Sequence, residues 1–241
     1  MQRRSMLAGL VLASTSSLIA GLVLAAPAGA VVSGHVAGYE APPSALPTQT
    51  VSVTFTVPKI DCKKIPAGNF QAVLAGARLQ SVSGNTGGGA VSVCSGPVVA
   101  YVPLIEITGV SIGSGITINA GDTVSVNASD GPSGATVTLI DGTQSQTASG
   151  PGGSVNAEDI GDIATNCVGS ACTPVPKSSV TSYSAASING TNIVIAGGVQ
   201  QDLVDVAGGP EMTSSALKTK KTLNAFKVKW VSSCNNGSSR C

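Results

Sequence analysis

Short runs in which apolar residues alternate with serine and threonine constrain the fold of this chain more than any other feature. Residues 50–57 place valine or phenylalanine at every second position, the period of two expected of a strand with one buried face. Similar runs fill most of the chain, glycine-rich turns separate them, and no segment sustains a helical period. This pattern predicts an all-β protein, a sandwich or barrel of short antiparallel strands.

The clearest hairpin is expected around Asp141-Gly142, because this dipeptide supplies the positive φ angles of a two-residue turn. The other strands are predicted from alternation and from the turn residues between them. The predicted strands are residues 50–57, 72–82, 90–94, 98–110, 116–118, 123–128, 135–140, 143–149, 179–188, 192–196, 200–206 and 222–232.

The N-terminal 30 residues have the pattern of a cleaved secretory signal peptide. Arg3 and Arg4 precede an apolar run that ends in Ala28-Gly29-Ala30, so we predict cleavage after Ala30. An uncleaved membrane anchor is the alternative, and the export route, Sec or twin-arginine, stays open. Residues 31–47 then form a flexible leader with three prolines, residues 48–233 a single β-sandwich domain, and residues 234–241 a C-terminal tail with a disulfide. The predicted location is extracellular, with loose association with the cell envelope as an option.

An even number of cysteines in an exported chain predicts disulfides. A zinc site is the competing interpretation, but there is no C-x-x-C pair, and His35 is the single histidine. Sequence does not fix the connectivity, although short loop closures favour pairing in chain order. The favoured pairs are Cys62 with Cys94, Cys167 with Cys172, and Cys234 with Cys241.

Charge and composition exclude several classes of function. Removing residues 1–30 takes away two of thirteen basic residues and leaves twelve acidic ones, a net charge of −1, which does not suggest nucleic acid as a partner. No membrane span is expected once the signal is cleaved, and no metal or other cofactor is expected. A serine or cysteine nucleophile paired with histidine is disfavoured, because His35 precedes the first predicted strand.

The remaining candidates for chemistry are carboxylates and amides. Glu158, Asp159 and Asp162 place three of only twelve acidic residues within five positions, which indicates either a hydrogen-bonded loop or a catalytic centre. A glycosidase would need two carboxylates at a suitable separation, and Glu106 with Glu158 or Asp162 is a formal candidate. Carbohydrate binding is disfavoured, because the seven aromatic residues occur in strand patterns.

Three segments together carry a family resemblance. They are residues 55–62 (Phe-Thr-Val-Pro-Lys-Ile-Asp-Cys), residues 115–124 (Gly-Ile-Thr-Ile-Asn-Ala-Gly-Asp-Thr-Val), and the run that begins Asn156-Ala157-Glu158 and ends at Cys167. Over about residues 50–232, the chain resembles the glutamic peptidases, or eqolisins, as a divergent relative of the bacterial type. Members of that family are exported acid endopeptidases, and the resemblance implies their antiparallel, double-sheet sandwich of the lectin or concanavalin A type.

The resemblance also implies where a catalytic pair would lie. Family members use a glutamate as general base and a glutamine that stabilises the tetrahedral intermediate. The glutamate position falls on Asp162, whose shorter side chain withdraws the carboxylate by about 1 Å, a misplacement that can cost ~100-fold in rate. The glutamine position falls on Gln80 if residues 84–89 are an insertion, and otherwise near Gly87 or Gly88.

Altered catalytic positions favour a non-catalytic or much altered relative. The aromatic-rich segment of the family corresponds to residues 98–103, where only Tyr101 is aromatic, so the substrate cleft would lose stacking surface. We therefore predict a secreted binding or cell-envelope protein whose partner is a protein, a peptide or an envelope component. The alternatives are an acid endopeptidase that uses Asp162 and Gln80, and a purely structural surface protein.

Overall fold

The computed structural model describes residues 31–33, 35–165, 175–204, 210–217 and 224–231. All regular elements within these ranges are β-strands, and no helix there is long and apolar enough to cross a membrane. In chain order the strands are β1 (Val31–Ser33), β2 (Val36–Ala41), β3 (Gln49–Thr56), β4 (Phe70–Ser81), β5 (Thr86–Ser95), β6 (Val98–Ile107), β7 (Val110–Ile112), β8 (Thr123–Gly131), β9 (Gly134–Asp141), β10 (Gln144–Gly150), β11 (Val155–Ala164), β12 (Thr181–Ile188), β13 (Thr191–Asn192), β14 (Val199–Val204), β15 (Pro210–Ser214) and β16 (Phe226–Trp230).

The strands form one hydrogen-bonded path in the order β10-β9-β8-β3-β12-β16-β15-β14-β2-β11-β4-β5-β6-β7. Neighbours on this path are antiparallel, while β1 pairs with β14 in parallel. The path folds back on itself, so that β4 and β5 pack against β3, β8 and β9. The predicted all-β antiparallel sandwich is confirmed.

The core lies between the two layers and follows the alternation of the sequence. In β3, Val51, Val53 and Phe55 are buried, while the residues between them face outward or are half-buried.

The predicted hairpin is also present as β9 and β10, but its turn is shifted by one residue. Asp141 pairs with Gln144, so Gly142, at a φ of 56°, begins the two-residue turn.

The structure differs from expectation in residues 31–47, which were expected to lead into the fold from outside it. Val36–Ala41 is an interior strand, β2, hydrogen-bonded between β11 and β14, and most of its residues are buried. The prolines that suggested a leader, Pro42, Pro43 and Pro47, all follow this strand and leave its backbone free to pair.

A disulfide joins Cys62 to Cys94 and is buried. It links the segment after β3 to the end of β5 and is the first of the three predicted pairs. Cys167, Cys172, Cys234 and Cys241, together with the predicted signal peptide, lie outside the described residues.

Candidate functional site

A cleft of about 520 Å³ lies on the outer face of the β2-β11-β4-β5-β6 part of the sheet. Because residues two apart in a strand share a face, the strand registers arrange this face in rows that cross the strands. One row is apolar and contains Val36, Ile163 and Leu74, with Val91 beside them. Leu74 and Val91 of this row line one side of the cleft, while Val36 and Ile163 are fully buried.

The next row consists of glycines. Gly38 pairs with Gly161, Gly161 with Gly76, and Gly76 with Gly89, so four adjacent strands carry no side chain there. A Cβ atom on Gly76 would lie 2.1 Å from the carbonyl oxygen of Gly88, and one on Gly161 would lie 2.2 Å from that of Ala37. The floor of the cleft therefore requires glycine.

The third row carries charge. Glu40 pairs with Asp159, and Asp159 with Arg78, so the three side chains lie side by side across β2, β11 and β4. The Arg78 Nε atom donates a 2.8 Å hydrogen bond to Asp159 Oδ2. Asp159 is fully buried, whereas Arg78 borders the cleft. Glu106 continues this row on β6, beyond Gly87.

Two further side chains contact this charged row. The Gln80 amide donates a 2.6 Å hydrogen bond to Asp159 Oδ2, and its nitrogen lies 3.4 Å from His35 Nε2. His35 Nε2 in turn lies 3.7 Å from Glu40 Oε2. Burial raises the pKa of Glu40 above its usual value, and the neighbouring Asp159 carboxylate raises it further, while His35 and Arg78 act in the opposite direction.

Asp162 lies on the other face of β11, inside the core. Its two carboxylate oxygens accept hydrogen bonds from the hydroxyls of Tyr183, at 2.5 Å, and Thr181, at 2.9 Å. Both donors belong to β12 of the opposite layer. Burial raises the pKa of Asp162 to about 6, although the two hydrogen bonds lower it. The same contact and burial raise the pKa of Tyr183 well above its usual value.

Glu158 also faces the core, since it is two residues from Ile160 and four from Asp162. It is fully buried, and neither carboxylate oxygen has a hydrogen-bond partner among the described residues. Burial, assisted by the neighbouring Asp159 charge, raises the pKa of Glu158 to about 7. Its neutral form is therefore the dominant one in mildly acidic solution.

The structure does not bring the two expected catalytic residues together. Gln80 faces the cleft beside Asp159, while Asp162 pairs with Ala75 on the face that packs into the core. Gly87, an alternative for the glutamine position, lies next to Arg78, and Gly88 on the opposite face of β5. Neither glycine has a side chain that could take the role of the glutamine.

Sequence reasoning missed Asp159, Arg78 and His35 as members of the site. A signal was available for Asp159: residues three apart in a strand point to opposite faces, so Asp159 and Asp162 cannot share one. Using that signal required recognising residues 155–164 as a strand. Arg78 and His35 had no motif of their own and meet Asp159 only through the register of β4 and the position of β2.

This two-layered antiparallel β-sandwich has a counterpart among solved structures. The chain is similar to the crystal structure of scytalido-glutamic peptidase with a transition state analog inhibitor, with a TM-score of 0.63 and 17% sequence identity. The match covers 83% of this chain and 100% of the peptidase chain. At this identity the similarity concerns the fold alone, which is an eqolisin-like β-sandwich. No family model matches the chain, and the search of curated proteins found no match either.

Proposed function

We propose that this protein is a secreted, eqolisin-like sandwich that binds its ligand in the cleft and does not hydrolyse it through the inherited pair of residues. The observation that carries the proposal is the position of Asp162. A general base must come within about 2.6–3.2 Å of the proton that it removes, directly or through one water molecule. Asp162 is fully buried and already accepts hydrogen bonds from Tyr183 and Thr181 of the opposite layer.

The cleft has features that suit binding. Its volume of about 520 Å³ lies within the range of about 300–1,000 Å³ that is common for ligand sites. An apolar wall of Leu74 and Val91 lies on one side of the bare glycine floor, and Arg78 and Glu106 lie on the other. A peptide, which carries both apolar and charged groups, would match these surfaces.

Activity and binding are separated by one experiment. Mature protein is incubated with denatured casein from about pH 2 to 7, beside Asp162→Asn and Gln80→Ala variants, and fluorescently labelled casein peptides are used to measure binding. We expect no cleavage, and peptide binding that Gln80→Ala weakens and Asp162→Asn leaves unchanged. Cleavage by the wild type that both substitutions abolish would contradict the proposal.

An acid endopeptidase is the second candidate, and one observation favours it. Gln80 lines the cleft and its amide donates to Asp159 Oδ2, so a carboxylate and an amide do meet beside the cleft, although the carboxylate is the buried Asp159. In this case Asp159→Asn would abolish casein cleavage while Asp162→Asn would retain it. If Asp162 were the base instead, Asp162→Asn would abolish cleavage and Asp159→Asn would retain it.

Export is part of the proposal and has its own test. The pattern of residues 1–30 supports secretion, with release from the cell or loose attachment to the envelope. Intact mass of the protein recovered from the culture medium and from a cell-wall fraction would locate it. A mature N-terminus at Val31 is expected, and a full-length protein held in the membrane fraction would contradict it.

A further inference from the structure

We infer that His35, Glu40 and Asp159 form a binding site for a first-row divalent metal ion, with zinc as the best fit. These three side chains are called the metal cluster below. The inference does not depend on the proposed function, because it concerns binding of the ion and not the fate of a ligand.

The geometry of the metal cluster is the first support. One potential ligand atom from each residue, a ring nitrogen of His35 and a carboxylate oxygen each of Glu40 and Asp159, lies within 4.8 Å of the other two. In a tetrahedral zinc site with bonds of about 2.1 Å, ligand atoms are ~3.4 Å apart. The His35 Nε2 to Glu40 Oε2 distance of 3.7 Å is close to this value. Small side-chain rotations therefore suffice to close the site.

A buried oxygen of Asp159 is the second, independent support. Arg78 and Gln80 both donate to Oδ2, while Oδ1 is buried and has no hydrogen-bond partner among the described residues. A buried carboxylate oxygen without a partner costs about 1–3 kcal/mol or more. A cation bound at Oδ1 would supply the missing interaction without displacing either donor from Oδ2.

The backbone places the side chains of the metal cluster next to one another. Glu40 and Asp159 are directly paired across β2 and β11, so their side chains leave the sheet next to each other. His35 immediately precedes β2, and its Nε2 lies 3.7 Å from Glu40 Oε2 and 3.4 Å from the Gln80 amide nitrogen. Because His35 and Gln80 also line the cleft, a coordination position on the ion would face it.

The donor set selects the type of metal. Histidine nitrogen and carboxylate oxygen are both zinc ligands, and a zinc ion held by three protein ligands keeps an open position, whereas calcium and magnesium prefer sites made only of oxygen. The nearby Arg78 reduces the negative charge of the cluster by one, which disfavours ions held by charge alone. An imidazole that forms a directional bond favours a transition metal.

Isothermal titration with zinc chloride tests the inference. It uses tag-free, oxidised mature protein at neutral pH, with a thiol assay to show that no free cysteine contributes. We expect one ion per chain. His35→Ala and Glu40→Gln should each weaken binding at least ~100-fold, because changes outside the ligands alone commonly cost about 10–100-fold. Glu106→Gln, a change in the same cleft but outside the metal cluster, is the matched control and should bind as the wild type does.

Cobalt provides a readout that does not depend on heat. Co²⁺ bound in a tetrahedral site absorbs strongly in the visible region, and this band should be present in the wild type and in Glu106→Gln but lost in His35→Ala. His35 and Glu40 are both partly exposed, so these variants should fold, which circular dichroism would check. Absence of saturable zinc binding, or binding and absorption that His35→Ala leaves intact, would overturn the inference.

Discussion

The acidic residues on the two faces of strand β11 have different kinds of partner. On the cleft face, Asp159 is ionically paired with Arg78 and hydrogen-bonded to Gln80. On the core face, Asp162 has only hydroxyl partners, and Glu158 has none among the described residues. On β11, the cleft face therefore pairs its carboxylate with a cation, while the core face lacks a cationic partner and raises the pKa of both of its carboxyl groups. A carboxylate available for ligand chemistry is thus expected on the first face only.

The glycine row under the cleft is the most sensitive place to test this division. Gly76→Ala would place a methyl group 2.1 Å from a backbone oxygen of the adjacent strand. It should lower the free energy of unfolding by more than about 4 kcal/mol, an exceptional loss for one substitution, or prevent folding. Chemical denaturation followed by circular dichroism measures it. Gly113→Ala, where a Cβ meets nothing within 4 Å, is the control and should change stability by no more than about 0.5 kcal/mol.

Asp162 should make the protein more stable in acid. Its pKa is raised from 3.8 to about 6, so its contribution is fully present below pH 3.8 and is lost as the pH rises through about 6. At about 1.4 kcal/mol per pKa unit, the loss amounts to about 3 kcal/mol. Unfolding of the wild type and of Asp162→Asn is measured from pH 3 to 8. The difference between the two should change with pH in this window, and a constant difference would contradict the assignment.

Removing the carboxyl group of Glu158 should stabilise the fold. Glu158→Met keeps a similar volume and eliminates two buried oxygens without partners, a gain of about 2 kcal/mol. Because the folded pKa is raised to about 7, stability due to the neutral acid is lost above that pH, so the gain should be larger at pH 8 than at pH 5. Thermal denaturation at both pH values measures it. Glu106→Met on the cleft face should give a smaller gain, and an equal one would remove the distinction between the faces.

The smallest effect concerns Gln80. Gln80→Ala removes one hydrogen bond to Asp159 and should cost about 1 kcal/mol. A double-mutant cycle with Asp159→Asn should give a coupling energy of about 1 kcal/mol, while a cycle with Asp162→Asn should be additive within about 0.5 kcal/mol. Coupling of Gln80 to Asp162 instead would place the two residues in one site.

The fold class was predictable because the alternation of the sequence matches the burial of strands such as β3. Strand β11 was not predicted, because Glu158, Asp159 and Asp162 disfavour a strand, and the partners of Asp159 and Asp162 belong to β4 and β12. β2 was not predicted because the prolines that follow it dominate the local composition. In both cases long-range pairing decides the structure, and local preference does not reveal it.

The candidate site was predictable only in part. Gln80 does line the cleft, and one member of the acidic cluster, the buried Asp159, is hydrogen-bonded to Gln80. Asp162 was assigned as the general base by aligning motifs, and such an alignment does not show on which face of a strand a side chain lies. One histidine is not a metal motif, and His35 becomes relevant only because β2 lies beside β11.

The glycine row restricts how this cleft can change during evolution. A substitution on the floor collides with the adjacent strand, so a new ligand preference cannot arise there by single steps. Variation is confined to the walls, where Leu74 and Val91 lie on one side and Arg78 and Glu106 on the other. Homologues that share the floor should therefore differ in ligand through these two walls.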